Sequence, residues 1–150
     1  QIFSWLRPIE HDCNCLDLFA GTGSLGIEAL SNGARKVTLV EQNQDIYNHI
    51  YLNCSDLKIL NEVQILKQSA ENYIRRTKEE RFDLIFLDPP YNKNYLAKLL
   101  PKIIEDFSVR GTLIYIEESN FNFSEFDDSL TLKNKTKSGN SFGRLFEVIK

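Results

Sequence analysis

Short apolar runs punctuate this chain at residues 13–19, 36–41, 62–67, 82–87 and 112–118, and each reads as a strand. Residues 24–32, 44–57, 70–77 and 94–107 lie between these runs and read as helices. The strand–helix–strand rhythm predicts a parallel sheet with helical crossovers. Beyond residue 130 the pattern changes to two strands around Lys137-Ser138-Gly139-Asn140, which predicts a hairpin at the sheet edge. Gly33 is expected to close the first of these helices, and Gly111 to do the same before Thr112.

Composition narrows the picture. At 150 residues with 42% hydrophobic content, the chain can bury one core and is expected to form one domain over residues 1–150. It holds no linker, no internal repeat and no apolar run long enough to span a bilayer, and no secretory leader is expected. Three cysteines, Cys13, Cys15 and Cys54, are an odd number, and only His11 and His49 could complete a zinc set. Reduced thiols, a cytoplasmic location and no bound metal are therefore expected. The net charge of −3 is unlike that of an autonomous nucleic-acid binder. Local basic groups exist at Arg75, Arg76, Lys78 and Arg81, interrupted by Glu79 and Glu80; near Lys93, Lys98 and Lys102; and in the tail at Lys133, Lys135, Lys137 and Arg144. Each could contact RNA or simply keep a surface soluble.

The chemistry concentrates at the ends of the apolar runs. Asp88-Pro89-Pro90-Tyr91 follows Phe82-Asp83-Leu84-Ile85-Phe86-Leu87 directly. Neither proline has a backbone N–H, and each fixes its own φ, so the segment cannot extend a helix or pair in a sheet. The Asp88 carboxylate and nearby carbonyls are left as fixed acceptors beside an aromatic ring. That is equipment for gripping a flat amine-bearing group.

Upstream, Cys15-Leu16-Asp17-Leu18-Phe19-Ala20-Gly21-Thr22-Gly23-Ser24-Leu25-Gly26 reads as a strand entering a G-x-G-x-x-G turn and then a helix that begins near Ser24. Glu41 ends the next strand, where ribose-binding acids sit in dinucleotide folds. S-adenosylmethionine and nicotinamide dinucleotides both suit this layout. Asp17 separates them: a carboxylate under the turn can pair with the ammonium of a methionine moiety, but would repel a pyrophosphate. Asp17, Glu41 and Asp88 are each expected at the carboxyl end of a strand, so three distant segments should converge on one rim.

These residues together resemble a class I S-adenosylmethionine-dependent methyltransferase acting on exocyclic amines. More narrowly, the segment from Leu16 to Ala34 with Glu41 and the Asp88 tetrad resembles the RsmD family, bacterial small-subunit ribosomal RNA guanine-N2 methyltransferases. The likeness covers nearly the whole chain and loosens beyond Glu118. It implies a Rossmann-like, doubly wound α/β fold with a mostly parallel sheet of about seven strands, ending in an antiparallel hairpin. It implies a monomer that takes S-adenosylmethionine as cofactor and ribosomal RNA as partner. Family members carry a further Arg- and Thr-rich segment before the helix that Ile2 to Leu6 finishes, and no methionine is present, so an N-terminally truncated chain is expected.

Asp88, Pro89, Pro90 and Tyr91 are the catalytic candidates. The guanine amine is a poor nucleophile because its lone pair is spread into the ring; Asp88 and the Pro89 carbonyl would accept its N–H groups while Tyr91 stacks on a flipped-out base. Cofactor contacts are assigned to Asp17, Phe19, Ala20, Gly21, Thr22, Gly23, Glu41 and Gln42. Related enzymes often place an acid near the adenine amine after the third strand; this chain has Gln68-Ser69-Ala70-Glu71, and Ser69 and Ala70 are assigned there. Transfer to adenine N6 or to a protein amide remains an alternative, as do, more remotely, an NAD-dependent oxidoreductase and a non-catalytic RNA-binding module.

Overall fold

The computed structural model describes residues 2–6, 9, 12–76, 80–90 and 94–150. Its strands are β1 (Asn14–Asp17), β2 (Lys36–Val40), β3 (Val63–Leu66), β4 (Leu84–Leu87), β5 (Leu113–Glu118), β6 (Leu130–Ser138) and β7 (Ser141–Val148). They form one sheet in the order β3-β2-β1-β4-β5-β7-β6. The first five are parallel to one another, while β7 runs antiparallel to both β5 and β6. This is the doubly wound α/β architecture with a terminal hairpin that the sequence predicts.

Helices α1 (Ile2–Trp5), α2 (Ser24–Ser31), α3 (Gln44–Asp56), α4 (Ala70–Arg76) and α5 (Tyr95–Asp106) cover the two faces. Successive strand residues point to opposite faces, and β4 shows both destinations. Ile85 and Leu87 join one core with Tyr73, Ile74, Leu96, Leu99, Leu100 and Ile103. Leu84 and Phe86 join a second core with Phe3, Ala29, Ile50 and Cys54. Burial on both sides explains why β4 reads as a continuous apolar run. The spacing of the buried α5 positions is that of one helical face.

Boundaries move by a residue or two, as frayed ends do. One expectation is corrected: α5 ends at Asp106 with Phe107 as its cap, and Gly111 turns the chain five residues later, its N–H donating to the Val148 carbonyl at 2.8 Å. Gly33 does follow the Asn32 cap of α2. Among the described residues no helix is long and apolar enough to cross a membrane.

The chain runs outward from β1 to β3, then returns across the sheet to β4, so its direction reverses between β1 and β4. Open α/β sheets bind ligands at that switch point, beyond the carboxyl ends of the strands.

Candidate active site

The glycine turn leaves β1 and folds back tightly. Ala20 N–H donates to the Val40 carbonyl at 3.0 Å, and Gly23 N–H donates to the Ala20 carbonyl at 2.8 Å. Gly23, at φ 81, takes a left-handed conformation that an L side chain would strain. Gly26 serves packing instead: a Cβ there would stand 2.5 Å from Leu39 Cδ2 and 2.8 Å from Val37 Cγ1, so only a bare backbone lets α2 lie against β2.

Three acids mark the strand ends. Asp17, 1% exposed, accepts the Phe19 N–H at 3.2 Å. Burial raises its carboxyl to about 7; the Phe19 N–H works against that rise, while the charges of Asp88 and Glu41 add to it. Glu41 is pinned by two backbone donors, Gly21 N–H to Oε1 and Asn43 N–H to Oε2, both at 2.9 Å. Asp88 follows β4 and is exposed, with no hydrogen-bond donor among the described residues. Partial burial of its carboxyl, helped by the nearby Glu117 charge, raises Asp88 to about 6.

Two cavities meet at the prolines. The first, about 400 Å³, is lined by Phe19, Gly21, Glu41, Gln42, Ser69, Ala70, Asp88, Pro89 and Pro90, with Leu18, Val40, Gln68, Glu71 and Tyr95. The second, about 370 Å³, is lined by Asp88, Pro89, Pro90, Asn94, Tyr95, Glu117, Glu118, Phe121 and Ser141 among others. The segment Asp88-Pro89-Pro90 is thus a wall common to both, and both volumes fall within the range of small-ligand sites.

Nine of the assigned residues therefore line the first cavity. Asp17, Ala20, Thr22 and Gly23 do not: Asp17 and Ala20 are buried behind it, Thr22 is exposed, and Gly23 packs toward Leu39 and Ile50. Tyr91 lies outside the described residues. The Ser69 hydroxyl accepts Asn72 N–H at 3.0 Å at the start of α4.

Sequence reasoning missed Tyr95 and Glu117. Tyr95 opens α5 and meets the Phe19 ring edge-on, centroids 5.1 Å apart, which joins the glycine turn to the proline wall. Its only sequence signal was an aromatic at the start of an apolar helical face. Glu117 sits at the end of β5 and accepts a hydrogen bond from Tyr115 Oη at 2.7 Å. A signal for it existed, since β5 is the fourth strand to end in an acid at this rim.

The basic candidates separate. Lys102 pairs with Asp106 at 3.0 Å and Lys133 with Glu147 at 3.4 Å. Lys135 and Lys137 lie over the Phe142 ring, at 4.6 and 5.6 Å from its centroid. The Arg144 guanidinium stands 4.9 Å from the Phe142 centroid and 5.2 Å from that of Phe123, and its Nη1 is buried without a hydrogen-bond partner among the described residues. Arg81 reaches the Asp106 carbonyl, and Arg75 binds Asn72. Lys78, Glu79 and Lys93 lie outside the described residues.

Known proteins agree with this architecture. The family model described as Conserved hypothetical protein 95 matches residues 1–147. The ribosomal RNA small subunit methyltransferase D of Haemophilus influenzae is 37% identical over 119 residues, covering 77% of this chain and 62% of that protein. The protein of the same name from Escherichia coli K12 is 33% identical over 118 residues, covering 77% and 58%. The chain spans about three-fifths of the length of these curated relatives. A crystal structure described as a candidate methylase from Haemophilus influenzae superposes with a TM-score of 0.87 at 32% identity, covering 99% of this chain and 94% of that one. With fold, site and sequence in agreement, the chain belongs to the Conserved hypothetical protein 95 family, the RsmD family.

Proposed function

We propose that this protein transfers a methyl group from S-adenosylmethionine to the exocyclic N2 amine of a guanine in small-subunit ribosomal RNA. The observation that carries the reading is the shared wall: one carboxylate-proline-proline segment faces both a cavity suited to the methyl donor and a cavity suited to the base. The names of the relatives supply the substrate class.

The donor cavity fits this cofactor better than a dinucleotide. Phe19, Gly21 and Gly23 N–H groups are already engaged by Asp17, Glu41 and Ala20, so the turn offers few donors to a pyrophosphate. Three acids close by favour a cation. Glu41, held from two sides, keeps lone pairs for the ribose hydroxyls, and Phe19, Val40 and Ala70 give apolar contact for adenine. Asp17 would balance the methionine ammonium from beneath the turn. When bound, S-adenosylmethionine supplies an electrophilic methyl carried on a sulfonium.

The remaining chemistry belongs to the chain. The Asp88 carboxylate and the Pro89 carbonyl accept the two N–H groups of the base, drawing the nitrogen lone pair out of conjugation and orienting it. A carboxyl at about 6 is ionised at neutral pH yet basic enough to take the amine proton once the nitrogen has become cationic. A base inside a duplex cannot reach this cavity, so the target is flipped out or unpaired.

The test is Asp88→Ala, assayed on small-subunit ribosomal RNA from cells lacking the activity, with the modified nucleoside identified by mass. Methyl transfer should fall by about 10³-fold while S-adenosylhomocysteine binding changes less than threefold. Turnover near the wild-type rate in the folded variant would remove Asp88 from this role.

A further inference from the structure

In the base-side cavity, Asp88 and Glu117 lie on adjacent parallel strands. The β4–β5 register pairs Leu87 with Ile116, and one further step brings Asp88 level with Glu117. Neighbouring strands run about 4.8 Å apart, so the two carboxyl groups start side by side and can converge on one edge of a purine. Both residues line the cavity together with Pro89 and Pro90.

Glu117 is held in place from behind. Tyr115 sits two residues earlier on the same face of β5, and its phenol donates to Glu117 Oε1 at 2.7 Å. That phenol occupies the space left by a missing side chain: a Cβ on Gly143, across the β5–β7 pairing, would stand 2.5 Å from Tyr115 Oη. Gly143, Tyr115 and Glu117 therefore form a supported column ending in a carboxylate. An unsupported surface glutamate would swing freely; this one keeps a fixed acceptor, with Oε2 open, toward the place where the base must enter.

Guanine presents two neighbouring donors on its Watson–Crick edge, N1–H and the N2 amine. Adenine offers an unprotonated N1, whose lone pair would face the carboxylate. Resting on the proposed methyl transfer to guanine N2, we infer that Glu117 is the specificity residue of this site: it accepts the N1–H of guanine while Asp88 and Pro89 hold the amine, and Tyr115 is its positioning residue. A site built to receive a donor rejects a base that lacks it, because the acceptor is left unpaired.

The experiment compares guanine with 2-aminopurine at the mapped target position of ligated ribosomal RNA. Both bases carry the 2-amine, but N1 of 2-aminopurine is unprotonated. For the wild-type protein, kcat/KM on 2-aminopurine should be roughly 100-fold below that on guanine. In Glu117→Gln the amide can turn its NH₂ toward N1, so guanine turnover should fall about tenfold and the preference should shrink to less than about fivefold. Any intrinsic difference in amine reactivity is common to both enzymes and cancels in the ratio of ratios. Tyr115→Phe, which keeps the ring but loses the phenol, should move the same ratio about threefold; a purely structural role would lower both rates and leave it unchanged. A preference in Glu117→Gln equal to that of the wild type would overturn the assignment. Failure of the underlying reading looks different: the wild-type protein would place no methyl on guanine N2 at all, as the mass of the modified nucleoside would show.

Discussion

The acids of the two cavities flanking the prolines are held in different ways. On the donor side the strand-end acids and the Ser69 hydroxyl are tied to backbone: Asp17 takes Phe19 N–H, Glu41 takes Gly21 and Asn43 N–H, and Ser69 takes Asn72 N–H. On the base side Asp88 has no donor among the described residues and Glu117 is steadied by a side chain, while Glu118 alone of the three acids takes a backbone N–H, that of Asn120. A cofactor of constant shape can be met by a site wired in advance, which reduces the ordering cost of binding. A nucleotide pulled from RNA arrives with its neighbours, and its acceptors must stay unfilled until it does.

The donor side should therefore be the less forgiving of the two. Glu41→Ala is expected to have the largest effect on cofactor affinity. It removes two ribose acceptors at roughly 1.5 kcal/mol each and frees two turn N–H groups, so S-adenosylhomocysteine should bind about 100-fold more weakly by calorimetry, with RNA affinity unchanged. An equal loss on both ligands would mean that the two cavities are not separate in function.

Next in size is a pH effect. Asp17 rests at about 7 in the free protein, because burial and the charges of Asp88 and Glu41 outweigh its one N–H donor. Pairing with a cationic ligand needs the ionised form. Affinity for S-adenosylhomocysteine, which keeps the ammonium, should thus fall about tenfold from pH 8 to pH 6, and that slope should vanish in Asp17→Asn. The same shift has a stability counterpart of opposite consequence. An acid raised above its unfolded value binds more protons in the folded state, so the ligand-free protein should lose stability as pH climbs from about 4 to 7. Asp17→Asn should flatten this part of the curve in denaturant titrations while weakening the ligand. A flat wild-type affinity profile would separate Asp17 from the ammonium.

The rim was legible because doubly wound sheets put strand ends on one edge, and Asp17, Glu41 and Asp88 each close an apolar run. What adjacency in sequence could not decide was which turn residues face outward. Gly23 lies two residues from Gly21 yet points into Leu39 and Ile50, because the turn closes on its own carbonyl. Glu117 and Glu118 look alike in sequence. Only the sheet period and the Tyr115 phenol select the first as the steadied acceptor. Tyr95 was hidden for a different reason: its partner Phe19 is distant along the chain, and only the fold brings the rings together.

Four lysines of α5 and the tail give the finest test of the same contrast, since they differ in what already holds them. Lys102 and Lys133 have carboxylate partners. Among the described residues Lys135 and Lys137 have only the face of Phe142, next to Ser141 of the base-side cavity, and a cation over a ring keeps its outer donors for phosphate. Each phosphate contact adds about 0.7 to the salt slope of single-stranded RNA binding. Replacing both Lys135 and Lys137 by Ala should therefore weaken RNA binding about fivefold and lower the slope by about 1.4, leaving S-adenosylhomocysteine affinity untouched. Replacing Lys102 and Lys133 by Ala should change RNA affinity less than twofold, because their charge is already matched within the protein. Equal losses from the two pairs would show that the RNA senses net charge rather than the cations gathered on Phe142, and the hairpin would then steer the substrate without positioning it.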